Sequence, residues 1–286
     1  MPESRQISVS ELSEQVELAA DGVWYARRGA AISYPAESNQ FLYEVEDKSF
    51  WFSHRNRCIV EALRRYSPSG AFFDIGGGNG CVSAAIQKAG WPVVLLEPGA
   101  AGARNARGRG IEHVICSTLD EAGLKPASVD AAGAFDVPEH IEDDLGFLRE
   151  LGRILRPGGR LYVTVPAFPF LWSQEDTDTG HYRRYTLPAI EAVLRKAGFA
   201  VEYSTYFFGF LPPAIFLQRT LPYRLGIRFN RESVKQQARA QHEAGEGLAG
   251  RILAPIFDRE VLQIREGKRL RFGSSCLAVG RIPART

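Results

Sequence analysis

Short apolar runs alternate with helical patterns through the middle of the chain. The runs that predict strands are AFFDI, PVVLLE, HVIC, VDAAGAFDV, RLYVTVPA, FAVEYSTYFF and SSCLAVGRI. Between them, segments such as CVSAAIQKAG and TLPAIEAVLRKAG predict helices that end at a glycine. Strands that are apolar along their whole length are typical of a parallel sheet covered by helices on both faces. We therefore predict an α/β fold with a doubly wound sheet of seven strands, mostly parallel, whose last strand pair is antiparallel.

The pattern changes on both sides of this alternating region. Residues 1–66 begin as a polar arm, frayed or helical, and end in an amphipathic helix that we expect to form a lid. The sheet domain is expected to occupy residues 67–207 and 273–286. Residues 208–272 interrupt it before the last strand as a helical insertion with an apolar, proline-broken start. A substrate cap is the preferred interpretation of this insertion, and a dimer contact or a surface that touches membrane lipid are the alternatives.

The composition is that of an ordinary globular protein. The 286 residues are 45% hydrophobic and 24% charged, and the formal net charge of +2 does not indicate a nucleic-acid-binding protein. The four cysteines are scattered without a CxxC pair, which favours buried reduced thiols over disulfides or a metal site. The first residues lack the apolar core of a signal peptide, and no run of about 18 apolar residues occurs. The sequence therefore predicts a cytoplasmic protein.

The stretch FFDIGGGNG, residues 72–80, places four glycines directly after the first predicted strand. Ligands of open parallel sheets bind at this kind of turn. The dinucleotide fingerprint G-x-G-x-x-G does not fit, because Cys81 or Asn79 stands where a glycine is needed, and no lysine follows to make a P-loop. The spacing that fits is D-x-G-x-G-x-G, made by Asp74, Gly76, Gly78 and Gly80. A tight turn alone would explain one or two of these glycines, and an acidic residue suits a cationic ammonium or sulfonium better than a pyrophosphate.

This motif resembles the cofactor-binding turn of class I S-adenosylmethionine-dependent methyltransferases. The segments FDVPEH and LRPGGRLYVTVPA are similar to segments of the type 11 and type 12 methyltransferase group, and the resemblance covers about residues 50–210. It implies a Rossmann-like fold and S-adenosylmethionine as the cofactor. It also implies that Asp74 engages the methionine moiety, directly or through water, while the glycines let the backbone approach the cofactor.

Further cofactor contacts are expected at the ends of the next strands. Glu97 ends the second strand, where an acidic side chain accepts both ribose hydroxyls in adenosine-binding sheets; taken alone, it would be a solvated strand end. The resemblance places adenine beside Ser117, Thr118 and Leu119, where many relatives have an acidic residue and this chain does not. It implies that the methyl end lies against residues 136–138. The predicted cofactor-binding residues are Arg55, Asp74, Gly76, Gly77, Gly78, Gly80, Glu97, Pro98, Thr118, Leu119, Asp136 and Val137.

The segment FWFSHRNR, residues 50–57, opens the helix before the first strand. Relatives place an aromatic–arginine pair there, over the methionine end of the cofactor. Arg55 would clamp the carboxylate of the cofactor, while Trp51 and Phe52 would shield the sulfonium through cation–π attraction. The alternative is an amphipathic lid that packs on the sheet.

Two histidines are the candidates for the catalytic base, His140 after the fourth strand and His181 in the loop WSQEDTDTGHYRRYT. A neutral imidazole at cellular pH can take a proton from the methyl acceptor. The alternatives are a helix-start residue that orders the cofactor loop for His140 and a bridge to Asp176 and Asp178 for His181. A subgroup of bacterial methyltransferases carries a similar loop. The predicted substrate-binding residues are Trp172, Tyr182, Arg183 and Tyr185. The alternative role of the two tyrosines is packing, and the alternative for one of the loop arginines is pairing with the neighbouring acidic residues.

These observations predict an S-adenosylmethionine-dependent methyltransferase. The expected acceptor is a hydroxyl, less favourably an amine or a carbon, of a small molecule, a sugar or a lipid-linked intermediate. A non-catalytic nucleoside-binding partner protein and a nicotinamide-dependent Rossmann enzyme are the alternatives. A nucleic-acid substrate is not expected, because an N-P-P-Y motif is missing after the fourth strand. No ligand cluster indicates a metal, although a metal held by aspartate or asparagine stays open, as do a homodimer and a peripheral membrane contact.

Overall fold

Nine strands form one sheet in the computed structural model, which describes residues 8–27, 43–228 and 248–284. In chain order the strands are β1 (Val16–Leu18), β2 (Trp24–Ala26), β3 (Phe72–Ile75), β4 (Val93–Leu96), β5 (His113–Cys116), β6 (Val129–Phe135), β7 (Leu155–Pro166), β8 (Ala200–Phe207) and β9 (Ser275–Arg281). Their order across the sheet is β1-β2-β5-β4-β3-β6-β7-β9-β8. The strands from β5 to β7 in this order are parallel, and β9 runs antiparallel to both of its neighbours. The predicted fold class is confirmed, with two strands more than expected.

The additional strands come from the segment that the sequence predicts to be a polar arm. Among residues 8–27, only the four-residue segment α1 (Val9–Leu12) is helical, and β1 and β2 form an antiparallel pair at the sheet edge. Trp24 of β2 pairs with Ile115 of β5, so backbone hydrogen bonds extend the sheet. The predicted frayed or helical arm is therefore wrong for β1 and β2, which are strands. Residues 1–7 and 28–42 of the predicted arm and lid lie outside the described residues.

Helices cover both faces of the sheet. They are α2 (Phe50–Arg65), α3 (Cys81–Lys88), α4 (Ala100–Gly108), α5 (Asp144–Ile154), α6 (Gln174–Asp178), α7 (Leu187–Lys196), α8 (Leu211–Ile215), α9 (Leu221–Arg224) and α10 (Leu248–Arg265). Adjacent side chains of a strand point to opposite faces. Accordingly, Phe72 of β3 packs in one apolar cluster with α2, α3 and α10, and Phe73 packs in another with α5 and α7. Both clusters are buried, which explains why the strands are apolar along their whole length.

The lid helix and the end of the insertion pack against each other. Ser49 caps α2 by accepting hydrogen bonds from the amide groups of Trp51 and Phe52. His54 of α2 lies 2.8 Å from Glu260 of α10, and both side chains are buried. The described part of residues 208–272 is mainly helical, with a π-helical turn at Phe216–Thr220 between α8 and α9, and residues 229–247 lie outside the description.

The segment RPGG, which follows Leu155, belongs to a strand and does not form the predicted break. The sequence predicts a break between the helix α5 and the fifth strand, whereas β7 already begins at Leu155 and includes this segment. Leu155 pairs with Val129, and the register then shifts before Ala131 pairs with Arg160. An irregularity in the pairing thus accommodates the two glycines inside the strand. In the described part of the chain, no helix is both long and apolar enough to cross a bilayer.

Candidate active site

The glycine turn after β3 needs glycine for two different reasons. Gly76, Gly78 and Gly80 have φ angles of 73°, 55° and 80°, in the left-handed region that other residues rarely adopt. At Gly77, a Cβ atom would lie 2.8 Å from the side chain of Leu95, so space is the constraint. At Gly78 nothing lies within 4 Å of the position of a Cβ atom. The turn therefore leaves an open space beside its backbone, at the edge where parallel sheets bind ligands.

Two buried carboxylates flank this open space. Asp74 at the end of β3 accepts a hydrogen bond of 2.7 Å from the hydroxyl of Ser83. Glu97 after β4 accepts hydrogen bonds from the amide groups of Gly78, at 2.9 Å, and Gly99, at 2.8 Å, one to each oxygen. Burial raises the pKa of each carboxyl group to about 6. Each oxygen of Glu97 keeps a second acceptor position for a hydroxyl group. The pair fits a ligand that carries a cationic group and a diol.

The segment expected beside adenine lies next to Glu97. The amide group of Ser117 donates to the carbonyl of Glu97, which joins the ends of β4 and β5. The hydroxyl of Thr118 donates to the carboxylate of Glu121 at 3.0 Å and accepts from its amide group, so local contacts already use this hydroxyl. Leu119 is buried, and the carbonyl of Pro98 faces the thiol of Cys116 at 3.7 Å. An apolar wall and backbone groups thus dominate this part of the site.

At the expected methyl end, Arg55 pairs with Asp136. A guanidinium nitrogen of Arg55 lies 2.5 Å from one oxygen of Asp136, and the hydroxyl of Thr164 donates to the other oxygen at 3.0 Å. The guanidinium also lies over the rings of Trp51 and Phe52, 4.8 and 5.0 Å from their centroids. The aromatic–arginine pair is therefore assembled, with a protein carboxylate as its partner. Sequence reasoning missed this ion pair, because 81 residues separate its two members.

The backbone at the end of β6 is strained. Asp136 has a φ of 57°, which is uncommon for a residue other than glycine. The following side chain, Val137, covers Gly76 and would lie 2.7 Å from a Cβ atom there. Strain of this kind concentrates at functional sites. Here it turns the chain from β6 directly into the 3₁₀ turn Pro138–His140, next to the glycine turn.

The two candidate histidines are brought together. The rings of His140 and His181 are 4.6 Å apart between centroids and nearly perpendicular. Burial, and then the neighbouring His181, lower the pKa of His140 to about 4, so His140 is neutral at pH 7. The Nδ1 atom of His181 lies 2.9 Å from a carboxylate oxygen of Asp176. Because that oxygen can only accept, Nδ1 carries the proton and Nε2 presents its lone pair.

Asp176 organises the polar loop around His181. The carboxylate is fully buried and receives two hydrogen bonds from the guanidinium of Arg184, at 2.7 and 2.9 Å, and two from Ser173. Burial by itself would raise the pKa of Asp176, but hydrogen bonds from His181 and Arg184 lower it to about 2. The predicted bridge from His181 is present to Asp176, whereas Asp178 bonds Gln174 instead.

The four predicted substrate-binding residues are placed differently from one another. Tyr185 is buried and donates to Asp144 at 2.7 Å, as its packing alternative anticipates. Arg183 pairs with the same Asp144 at 2.8 Å. The indole of Trp172 donates to Thr177, and Tyr182 is exposed. The structure therefore places Tyr182 in reach of solvent and commits Arg183 and Tyr185 to contacts within the protein.

One residue near the histidines was missed by sequence reasoning. Glu139 is 1% exposed, and its Oε2 atom has no hydrogen-bond partner among the described residues. Burial, and then the charge of Asp136, raise the pKa of Glu139. Glu139, His140 and His181 each offer a ligand atom, and these atoms lie within 4.8 Å of one another. The sequence indicates no cluster of metal ligands, but the fold brings these three residues together. The amide group of Tyr182 donates to the carbonyl of Glu139 at 2.8 Å, which joins the loop after β7 to the segment after β6.

Comparison with known proteins agrees with this geometry. A family model described as "Methyltransferase domain" matches residues 51–204, which is more than half of the chain. The chain is 28% identical over 174 residues to a protein of Mycolicibacterium smegmatis named a probable S-adenosylmethionine-dependent methyltransferase, covering 59% of this chain and 66% of the relative. It is 27% identical over 158 residues to the ubiquinone biosynthesis O-methyltransferase of Xanthomonas axonopodis, covering 48% of this chain and 66% of the relative.

A solved structure shares the fold. The crystal structure of a SAM-dependent methyltransferase from Thermotoga maritima superposes with a TM-score of 0.53 at 19% identity, covering 85% of this chain and 97% of the other. The chain spans about two thirds of the length of each of the two curated relatives named above. The cofactor of the family is S-adenosylmethionine, which the glycine turn predicts and which Asp74 and Glu97 fit. The matched residues contain that turn and all of β3 to β7, and the chain belongs to the methyltransferase-domain family of class I S-adenosylmethionine-dependent methyltransferases.

Proposed function

We propose that this protein is an enzyme that transfers the methyl group of S-adenosylmethionine to a hydroxyl group of a small molecule, a sugar or a lipid-linked intermediate. The observation that carries the proposal is the pair of imidazoles, His140 and His181, beside the end of β6. Methyl transfer to a hydroxyl releases a proton, and the site needs a group that takes it. The ubiquinone O-methyltransferase named above is a relative that its name assigns to oxygen.

The cofactor would lie across the carboxyl ends of β3, β4 and β6. Asp74 would attract its ammonium group, and Glu97 would accept its two ribose hydroxyls. The two amide groups that bind Glu97 hold its oxygens in place before the cofactor arrives, which reduces the entropy lost on binding. Arg55 and Asp136, joined as an ion pair, would fix the wall of the site at the methyl group.

The acceptor oxygen would attack the methyl carbon in line with the bond to sulfur. The new carbon–oxygen bond forms as the carbon–sulfur bond breaks, and S-adenosylhomocysteine leaves. The proton of the hydroxyl would pass to Nε2 of His181, since Asp176 holds the proton on Nδ1 and stabilises the imidazolium that results. Burial lowers the pKa of His140 to about 4, and this residue would position the acceptor.

The insertion supports an acceptor with an apolar part. Its described helices pack on the loop of His181, with Thr220 donating to the carbonyl of Leu171 at 2.9 Å and Arg219 pairing with Glu175. Their outer side is apolar and carries the exposed residues Leu217, Leu221, Leu225 and Ile227. A cap with such a face fits a lipid-linked acceptor better than a free sugar. The double variant Leu217→Glu, Leu225→Glu should no longer sediment with phosphatidylglycerol vesicles, whereas the wild type should. Equal sedimentation of the two proteins would remove the support of this apolar face for a lipid-linked acceptor.

Binding and turnover test the function itself. Isothermal titration should show one site for S-adenosylhomocysteine and none for NAD; the reverse result overturns the proposal. Pairs of acceptors that differ only in carrying a hydroxyl or an amine can be offered together with S-adenosylmethionine. We expect S-adenosylhomocysteine to form with the hydroxyl member of a pair. Release with the amine members alone would overturn the choice of oxygen. Cofactor binding without transfer to any acceptor of these classes would favour a non-catalytic binding protein.

A further inference from the structure

We propose that Glu139, His140 and His181 bind one divalent transition-metal ion, of the kind represented by Zn²⁺, and that this ion holds the acceptor oxygen. The ligand atoms of the three side chains lie within 4.8 Å of one another. The inference rests on the proposed function and replaces its proton-transfer step. Glu139 and His140 follow β6, while His181 comes from the loop after β7.

Glu139 indicates a missing cation. Its carboxyl group is buried, with one oxygen lacking a partner among the residues that the structure describes. Both guanidinium groups near it are paired with other carboxylates, Arg55 with Asp136 and Arg184 with Asp176. A buried carboxylate without a counter-charge is costly, so the group either keeps its proton or coordinates a cation. A divalent ion between Glu139 and the two imidazoles would supply that charge.

The two histidines are oriented as metal ligands usually are. A ligating imidazole binds the ion through one nitrogen and donates from the other to a carboxylate or a carbonyl. His181 donates from Nδ1 to Asp176, which is itself fixed by two hydrogen bonds from Arg184. The ring of His140 hydrogen-bonds the backbone of Thr179. Each ring therefore has an orienting partner, and each ring contributes one nitrogen to the cluster.

The donor set selects the class of metal. Two imidazole nitrogens and one carboxylate oxygen suit Zn²⁺, Fe²⁺ or Co²⁺, whereas Mg²⁺ and Ca²⁺ prefer oxygen ligands only. Three protein ligands leave at least one position open, as in catalytic zinc sites. The acceptor hydroxyl would take that position, and the ion would lower its pKa so that the proton leaves to solvent. That oxygen would then attack the methyl carbon as the bond from this carbon to sulfur breaks, which gives the ether product and S-adenosylhomocysteine.

Metal binding can be measured without turnover. The full chain is freed of metal with a chelator and titrated with Co²⁺, followed by its visible absorption, and with Zn²⁺, followed by calorimetry. We expect one ion per chain, and at least a tenfold weaker binding in Glu139→Gln, His140→Ala and His181→Ala. The matched control is His113→Ala at the amino end of β5, whereas the cluster follows the carboxyl end of β6, and this variant should bind as wild type does.

Each possible result of these experiments either supports or overturns the metal site. Loss of metal binding in the three variants, with S-adenosylhomocysteine binding retained, supports the site. Wild type that binds no ion, or variants that bind it as tightly as wild type, overturns it. A variant that also loses S-adenosylhomocysteine binding does not test the site. X-ray absorption of the wild-type Co²⁺ complex then takes its place, and protein ligands other than two imidazoles and one carboxylate would overturn the site. Full methyl transfer in excess chelator would refute the metal while leaving the proposed function intact, whereas a wild type without affinity for S-adenosylhomocysteine would refute the proposed function.

Discussion

Asp74→Asn should make the stability of the cofactor-free protein less sensitive to pH. Asp74 is buried, and burial raises the pKa of its carboxyl group from 3.8 to about 6. The folded protein therefore binds a proton at Asp74 more readily than the unfolded chain does. Stability from this group is present in full below pH 3.8 and is lost as the pH rises through the folded pKa. Asparagine keeps an oxygen that can accept from Ser83 but does not ionise.

The size of the effect follows from the pKa values. A rise from 3.8 to about 6 corresponds to about 3 kcal/mol of stability lost at high pH. Roughly 2 kcal/mol of this falls between pH 4.5 and 7.5, because the unfolded carboxyl is already mostly ionised at pH 4.5. The charge of Asp74 also raises the pKa of Glu97, which adds to the difference in the same direction.

Urea unfolding of both proteins at pH 4.5 and 7.5, followed by circular dichroism, measures this difference. Subtracting the variant from the wild type removes the titration of the other groups, including the histidines. We expect the stability of the wild type, relative to the variant, to be lower by roughly 2 kcal/mol at pH 7.5 than at pH 4.5. The assignment of Asp74 as a desolvated carboxyl would be refuted if the difference in unfolding free energy between wild type and variant is the same at both pH values. It would also be refuted if that difference favours the wild type more at pH 7.5 than at pH 4.5.

Cofactor binding should respond with the opposite sign. An ammonium group beside Asp74 favours the ionised carboxyl, so binding of S-adenosylhomocysteine requires loss of the proton. With a folded pKa of about 6, Asp74 by itself should weaken wild-type binding roughly tenfold at pH 5 relative to pH 7.5, and the variant should retain only the part of the pH dependence that comes from Glu97. Calorimetry at the two pH values provides the check, and an affinity that is independent of pH in the wild type would separate Asp74 from the ammonium.

Three further substitutions test the turn, the second carboxylate and the lid. Gly80→Ala should destabilise the fold by at least ~1 kcal/mol in urea unfolding, because φ is 80° and a Cβ atom would lie 3.0 Å from that of Ala106; unchanged stability would contradict the strain. Glu97→Gln should weaken S-adenosylhomocysteine binding by ~10- to 100-fold in calorimetry, since an amide replaces one acceptor, while the exposed control Glu112→Gln should bind normally. Ser49→Ala should lower the unfolding free energy by about 1 kcal/mol through loss of the α2 cap, and an effect of less than roughly 0.3 kcal/mol would show that the cap is redundant.

The sheet was predictable because its signals are local. Each of the seven expected strands is an apolar run, and burial on both faces allows no other pattern. The strands β1 and β2 gave no such signal, since each has three residues and Glu17 and Leu18 of β1 are exposed. They join the sheet through backbone hydrogen bonds at its edge, to which any sequence can contribute. The start of β7 was misplaced for a related reason, because the glycines of RPGG are accommodated by a change of register.

The proximity of the candidate cofactor residues was predictable from spacing, because they lie in one turn and at two strand ends. Asp74, the glycines and Glu97 lie within 24 residues, and the parallel pairing of β3 with β4 brings them together automatically. Arg55 could be named from the resemblance, but not its partner. Asp136 is 81 residues away, and its left-handed backbone is not encoded by a glycine.

The acceptor side depends on contacts that no local pattern contains. DVPEH and GHYRRYT both contain a histidine that was singled out, yet nothing in either segment states that the two rings touch. Their contact requires β6 and β7 to be neighbours and the loop after β7 to fold back over the end of β6, where Tyr182 bonds Glu139. Glu139 carries no signal in the sequence that distinguishes it from a solvated acidic residue. Only its burial, without a cation in contact, distinguishes it from such a residue. We therefore propose that this corner of the site, rather than the glycine turn, would determine which acceptor the protein takes.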